Sequence, residues 1–75
     1  MTTWEIIQTD CFGYEYEFEV RPSITERGYD IHDLSAGDMI EMGSTFEECK
    51  ETIEAERSST YVWRKVVKWK YYQLW

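Results

Sequence analysis

Seventy-five residues suffice for a single domain, residues 1–75, built around one small core. Four Trp, six Tyr and three Phe supply apolar surface for that core, which sets the chain apart from disordered sequences of similar charge. A formal net charge of −7 works against direct nucleic-acid binding, and no apolar run approaches the about twenty residues of a membrane-spanning helix.

The charge is segregated. All fifteen acidic residues lie between Glu5 and Glu56, giving residues 1–56 a net charge of −12. Residues 57–75 hold five basic residues, no acidic ones and a charge of +5. Such a distribution makes a directed field that selects approaching partners.

In chain order, Thr3 to Thr9 is a strand candidate with Trp4 and Ile6 on one face. Asp10-Cys11 falls at the turn of a first hairpin. Phe12, Tyr14, Tyr16, Phe18 and Val20 then alternate with Gly13, Glu15, Glu17 and Glu19. This period of two in aromatic and β-branched residues predicts a half-buried antiparallel strand. Pro22 ends it, because proline donates nothing to a ladder. Arg27-Gly28 opens a third strand through Tyr29, Ile31 and Leu34, and Ala36-Gly37-Asp38 reads as a turn before a short strand, Met39 to Met42.

Gly43-Ser44-Thr45 opens a helix. Ser44 and Thr45 are each followed three residues later by Glu47 or Glu48, the spacing of a capping box. Phe46, Cys49 and Ile53 form its apolar stripe, Arg57 sits at its far end, and Ser58-Ser59-Thr60 breaks it. Tyr61 to Trp75 fits a period of two and a period of 3.6. Its Val, Trp and Tyr favour a strand, with Tyr61, Trp63, Val67, Trp69, Tyr71 and Trp75 on one face. The order β-β-β-(β)-α-β predicts an α+β fold: a small antiparallel sheet of four to five strands with one helix packed on one face. The Phe12-to-Val20 row would face the helix and the Glu15/Glu17/Glu19 row solvent. A basic last strand beside the acidic one would gain from opposite cross-strand charges.

The chemistry-bearing residues point away from catalysis. His32 stands near Asp30 and Asp33 with no motif to orient it, and no serine or cysteine has a nucleophile context. No spacing suggests a metal or a cofactor. Cys11 and Cys49 form no disulfide framework and read as reduced thiols of a cytoplasmic protein. No basic stretch followed by an apolar one opens the chain, so no secretory signal is expected.

The acidic rows carry the functional expectation. Glu15, Glu17 and Glu19 would be spaced by about 6.6–6.8 Å along one strand face. The helix adds Glu47, Glu48, Glu51 and Glu54 as a second acidic surface. Such rows can imitate the phosphates that nucleic-acid-binding proteins neutralise. They also serve simply to keep an aromatic-rich domain soluble. The basic-aromatic segment from Trp63 to Tyr72 has the composition of a stacking platform for single strands, although the net charge opposes that use. Surplus aromatics, Trp4 and Trp75 first among them, would form an interface.

In size, charge and layout the whole chain resembles small virus-encoded proteins that block host nucleic-acid machinery. These include phage inhibitors of RNA polymerase, uracil-DNA glycosylase inhibitors and anti-CRISPR proteins. The Gly43-Ser44-Thr45-Phe46-Glu47-Glu48 helix opening after a strand-rich start is part of the likeness, and the basic tail departs from it. The resemblance implies a non-enzymatic inhibitor, monomeric or homodimeric, without cofactor or membrane partner, in the host cytoplasm. No residue is carried over from the resemblance; the acidic rows themselves supply the expected docking residues, Glu15, Glu17, Glu19, Glu47, Glu48, Glu51 and Glu54, for the basic surface of a nucleic-acid-binding protein such as a CRISPR effector or polymerase. The alternative is a structural or accessory protein that self-associates through surplus aromatics.

Overall fold

The alternating segments assemble into one five-stranded antiparallel sheet in the computed structural model, which describes residues 2–25 and 27–67. The strands are β1 (Thr2–Thr9), β2 (Glu15–Pro22), β3 (Tyr29–Asp33), β4 (Asp38–Ser44) and β5 (Thr60–Val67), in the spatial order β4-β3-β2-β1-β5. One helix, α1 (Phe46–Ile53), lies on one face. The α+β expectation is met, and Thr60–Val67 settles as a strand. Residues 68–75, with Trp69, Tyr71 and Trp75, lie outside the described residues.

Register shows why one face is apolar. β1 pairs Trp4 with Val20 and Ile6 with Phe18, and on its other side Ile6 with Trp63. These residues share one face with Ile31 of β3. Ile6, Val20, Ile31, Cys49 and Ile53 are buried there, with Trp4, Phe18, Tyr29, Phe46, Tyr61 and Trp63 packed around them. Trp4, expected at the surface, is therefore half-buried in the aromatic layer under the helix.

Two boundaries and the strand order differ from expectation in ways that matter for the surface. β2 starts at Glu15, not Phe12, because Asp10 takes over the turn. Its Oδ1 accepts from the backbone N–H groups of Phe12 and Tyr14, both at 2.9 Å. Phe12 and Tyr14 consequently stand in solvent, 82% and 66% exposed, and only Phe18 and Val20 of that row reach the core. The helix opens as the capping box predicts, with Thr45 as N-cap and Glu48 as its partner. It closes at Ile53, earlier than Ser58, so Lys50 rather than Arg57 occupies its last turn. Downstream, the Glu56 carboxylate accepts from the Ser58 N–H and hydroxyl, and the Tyr61 hydroxyl donates to the Glu56 carbonyl at 2.8 Å. These bonds stabilise a turn where the helix would otherwise continue. Finally, β5 lies beside β1, not beside the acidic β2.

Gly28 sits where the β2–β3 connection crosses the end of β4. Its φ is +93°, and an added Cβ would lie 2.4 Å from the Ser44 carbonyl oxygen. Gly13, at φ +90° in the first turn, has nothing within 4 Å. Gly13→Ala should thus cost only backbone strain, about 1–3 kcal/mol. Gly28→Ala adds a clash with backbone that cannot yield, and should lower the urea midpoint far more or abolish folding. Equal midpoints for the two variants would refute this account of the connection.

Candidate protein-binding surfaces

The seven acidic residues singled out by sequence divide between opposite sides of the sheet. Glu15, Glu17 and Glu19 project from the face away from α1, because they alternate with the core residues Phe18 and Val20. Glu47, Glu48, Glu51 and Glu54 belong to the helix and its C-cap. No single flat partner can meet both sets.

On the helix side, two carboxylates are engaged within the fold. Glu48 Oε1 accepts from the Thr45 N–H at 2.9 Å, while the Glu48 N–H donates to the Thr45 hydroxyl at 3.1 Å. These Thr45 bonds, the backbone one first, hold the Glu48 carboxyl below its usual range. Glu54 Oε2 accepts from the Trp63 indole N–H at 2.7 Å. Glu47 and Glu51 remain exposed, with Lys50 and Arg57 beside them in a shallow surface of mixed charge.

On the open side, charges form a row across the strands. Arg64 of β5 stands opposite Glu5 of β1, Glu5 opposite Glu19 of β2, and Glu19 opposite His32 of β3. Two acids directly opposite each other are destabilising unless compensated. Arg64 pairs with Glu5, and Arg21 Nε lies 3.0 Å from Glu19 Oε1. The Glu5 contact raises the Arg64 pKa further above its ordinary value, with a smaller contribution from Glu17. Glu19, expected to face solvent, is only 7% exposed. Glu15 and Glu17 are exposed, and no hydrogen bond or ion pair of their side chains occurs among the described residues. Beside Glu17 lies an apolar pair, Ile7 and the exposed Val62.

Two features were missed by sequence reasoning. The hairpin tip presents Phe12, Tyr14 and Tyr16 to solvent. The Tyr16 hydroxyl donates to Asp10 Oδ2 at 3.3 Å, and the charge of Asp10 raises the Tyr16 pKa. At the opposite edge, β4 exposes Met39, Ile40 and Met42 next to Ile24. Cys49, buried as its place in the helix's apolar stripe predicts, has its thiol pushed up to about 11 by burial and then by Glu41, Glu48 and Asp30. It is protonated near neutral pH and a poor nucleophile. Among the described residues no group of three or more His, Cys, Asp or Glu could hold a metal ion, and no helix is long and apolar enough to cross a membrane.

No family model matches the chain, and neither a curated protein nor a solved structure matches it.

Two outcomes test this electrostatic picture. A carboxyl whose folded pKa lies below its unfolded value, about 4.3 for Glu, stabilises the fold above that value. The contribution is lost as pH falls through the folded value. Glu48→Gln should therefore flatten the acid side of a melting-temperature profile below about pH 4.3; an unchanged acid limb would remove Glu48 from the account. The thiols give an independent check. Exposed Cys11 should react with a disulfide reagent at once at pH 8, and Cys49 only on unfolding. Two rapid equivalents from native protein would contradict a buried Cys49.

Proposed function

We propose that the protein is a non-enzymatic binding protein that docks on the basic surface of a nucleic-acid-handling protein and competes there with DNA or RNA. A phage-encoded inhibitor of a CRISPR effector or polymerase, acting in the host cytoplasm, fits this description. The observation that carries the reading is the disposition of charge on the open sheet face. Arg64 and Arg21 are taken up by Glu5 and Glu19, while Glu15 and Glu17 remain exposed beside the apolar Ile7–Val62 pair. An interface of this kind combines an apolar centre with charges that steer the encounter. On the helix side Glu48 and Glu54 serve the fold itself, so steering falls mainly to Glu15 and Glu17, with Glu47 and Glu51 as the lesser set.

A second reading rests on the exposed Phe12 and Tyr14 at the hairpin tip. Rings so displayed suit an apolar contact between copies, as in an accessory or self-assembling protein.

One experiment separates the two. The protein is immobilised, a bacterial lysate is passed over it at low and high salt, and retained proteins are identified by mass. Recovery of a polymerase, nuclease or CRISPR effector, released by salt, is expected. Against that purified protein, Glu15→Lys/Glu17→Lys should slow association about tenfold or more at low salt. Glu47→Lys/Glu51→Lys should change it much less. Unchanged association of the strand variant would overturn the choice of face. Retention of this chain alone, insensitive to salt and lost in Phe12→Ser, would favour self-association.

A further inference from the structure

The irregular edge of β4 builds a groove on the open face. In a regular strand, residues three apart point to opposite sides of the sheet. Met39 and Met42 are three apart, yet both line one groove, together with Pro22 and Ile24. The cause is in the pairing: the register of β4 against β3 shifts between Tyr29 and Ile31 and again between Ile31 and His32. Bulges re-aim side chains in this way and concentrate at sheet edges and functional sites. Thr25 adds a tether across the groove, its hydroxyl donating to Met42 Sδ at 3.6 Å.

The groove has a volume of about 220 Å³. That is below the ~300–1,000 Å³ usual for small-molecule sites, and suits one inserted side chain. Its walls are apolar and, in the two methionines, adaptable. Its polar end is unusual. Asp30 is 7% exposed and held in place by the Gly43 N–H, which donates to Asp30 Oδ1 at 3.0 Å. A carboxylate drawn from water favours a cation nearby. Arg21 also lines the groove and stands opposite Asp30 across the strands, with its Nε against Glu19 Oε1, so an incoming cation would share Asp30 with it. His32, which also lines the groove, is opposite Met39 and Glu19.

We propose that this groove seats an arginine side chain of the partner protein. The aliphatic stem lies between Met39, Met42, Ile24 and Pro22, and the guanidinium is directed to Asp30. A long side chain with an apolar stem and a charged head matches walls and floor together, and buried arginines are frequent anchors of interfaces. The proposal rests on the reading that the partner presents a basic surface. It adds the place where affinity, as distinct from steering, is generated.

The test uses the full chain labelled with ¹³C in its methionine methyl groups and followed by NMR at low salt. The probes are the acetylated, amidated tripeptide Gly-Arg-Gly and its counterparts carrying norleucine or glutamate in place of arginine. Gly-Arg-Gly should shift the Met39 and Met42 methyl signals saturably. Loss of a charge-assisted contact should weaken norleucine binding about tenfold, and the glutamate peptide should not bind. Asp30→Asn keeps an acceptor for the Gly43 N–H but removes the charge, so it should weaken Gly-Arg-Gly to a similar degree. Met42→Lys, which places a resident ammonium in the groove, should abolish the effect. No saturable shift, or equal binding of the norleucine peptide or of Asp30→Asn, would overturn the proposal. Glu15→Lys/Glu17→Lys should leave tripeptide binding intact. Arginine binding without capture of any basic partner would therefore count against the functional reading alone, and capture without arginine binding against the groove alone.

Discussion

A helix of eight residues does not hold its shape in water, because nucleation is unfavourable and few bonds follow to offset it. Here it depends on Phe46. That ring, in the first turn of α1, meets Trp4 of β1 at 5.4 Å between centroids, and Tyr29 of β3 and Trp63 of β5 at 5.7 Å each. Tilted and edge-on contacts of this kind add to the area that the rings bury. They also draw together three strands that are not all neighbours in the sheet. The capping box at Thr45 sets where the helix begins and so where Phe46 points. At the other end the Glu54–Trp63 hydrogen bond ties the helix back to β5. The fold is thus closed by one aromatic plug and two polar fastenings.

That closure decides what the other face becomes. Period two sends every second residue away from the helix, and no second layer covers them among the described residues. Glu5 and Glu19 are brought opposite each other by the β1–β2 register, and each is accompanied by an arginine on its own or the adjoining strand. Arg64 of β5 is in this sense a complement to the acidic sheet. Acid without such compensation collects toward the hairpin end, at Glu15 and Glu17.

The parts of this fold legible in the sequence are those set by local pattern. The alternation from Glu15 to Val20, the Trp4/Ile6 face and the Thr45–Glu48 box each follow from spacing alone, and together they fix the α+β architecture. What escaped was decided by competition between local and distant contacts. Asp10 claims the backbone of Phe12 and Tyr14 before the strand can. The hydrogen bonds of Glu56 stabilise a turn where helical periodicity could have continued. Strand order is a tertiary property, so the pairing of β5 with β1 could not be inferred from the acidity of β2. The candidate surfaces were legible in part. Glu15 and Glu17 appear where alternation places them, whereas the burial of Glu19 depends on neighbouring side chains. The Met39/Met42 groove depends on bulges, and two extra residues in a short strand look like ordinary alternation with errors.

Those bulges bear on more than geometry. An unpaired, apolar strand edge invites indiscriminate pairing, and irregular register is one means by which proteins discourage it. In β4 the same irregularity that spoils the edge as a template gathers two methionines over a buried carboxylate. At the opposite edge β5 is regular along all eight residues, and there Arg64 and Lys65 supply the discouragement by charge. The two edges are protected by different physics, one by shape and one by electrostatics. The shape-protected edge gains a concave site lined by two methionines in the process. A partner steered by Glu15 and Glu17 toward the open face would meet that site on the same side of the sheet. Glu15 and Glu17 and the groove residues are thus two separate sets on one face of the sheet.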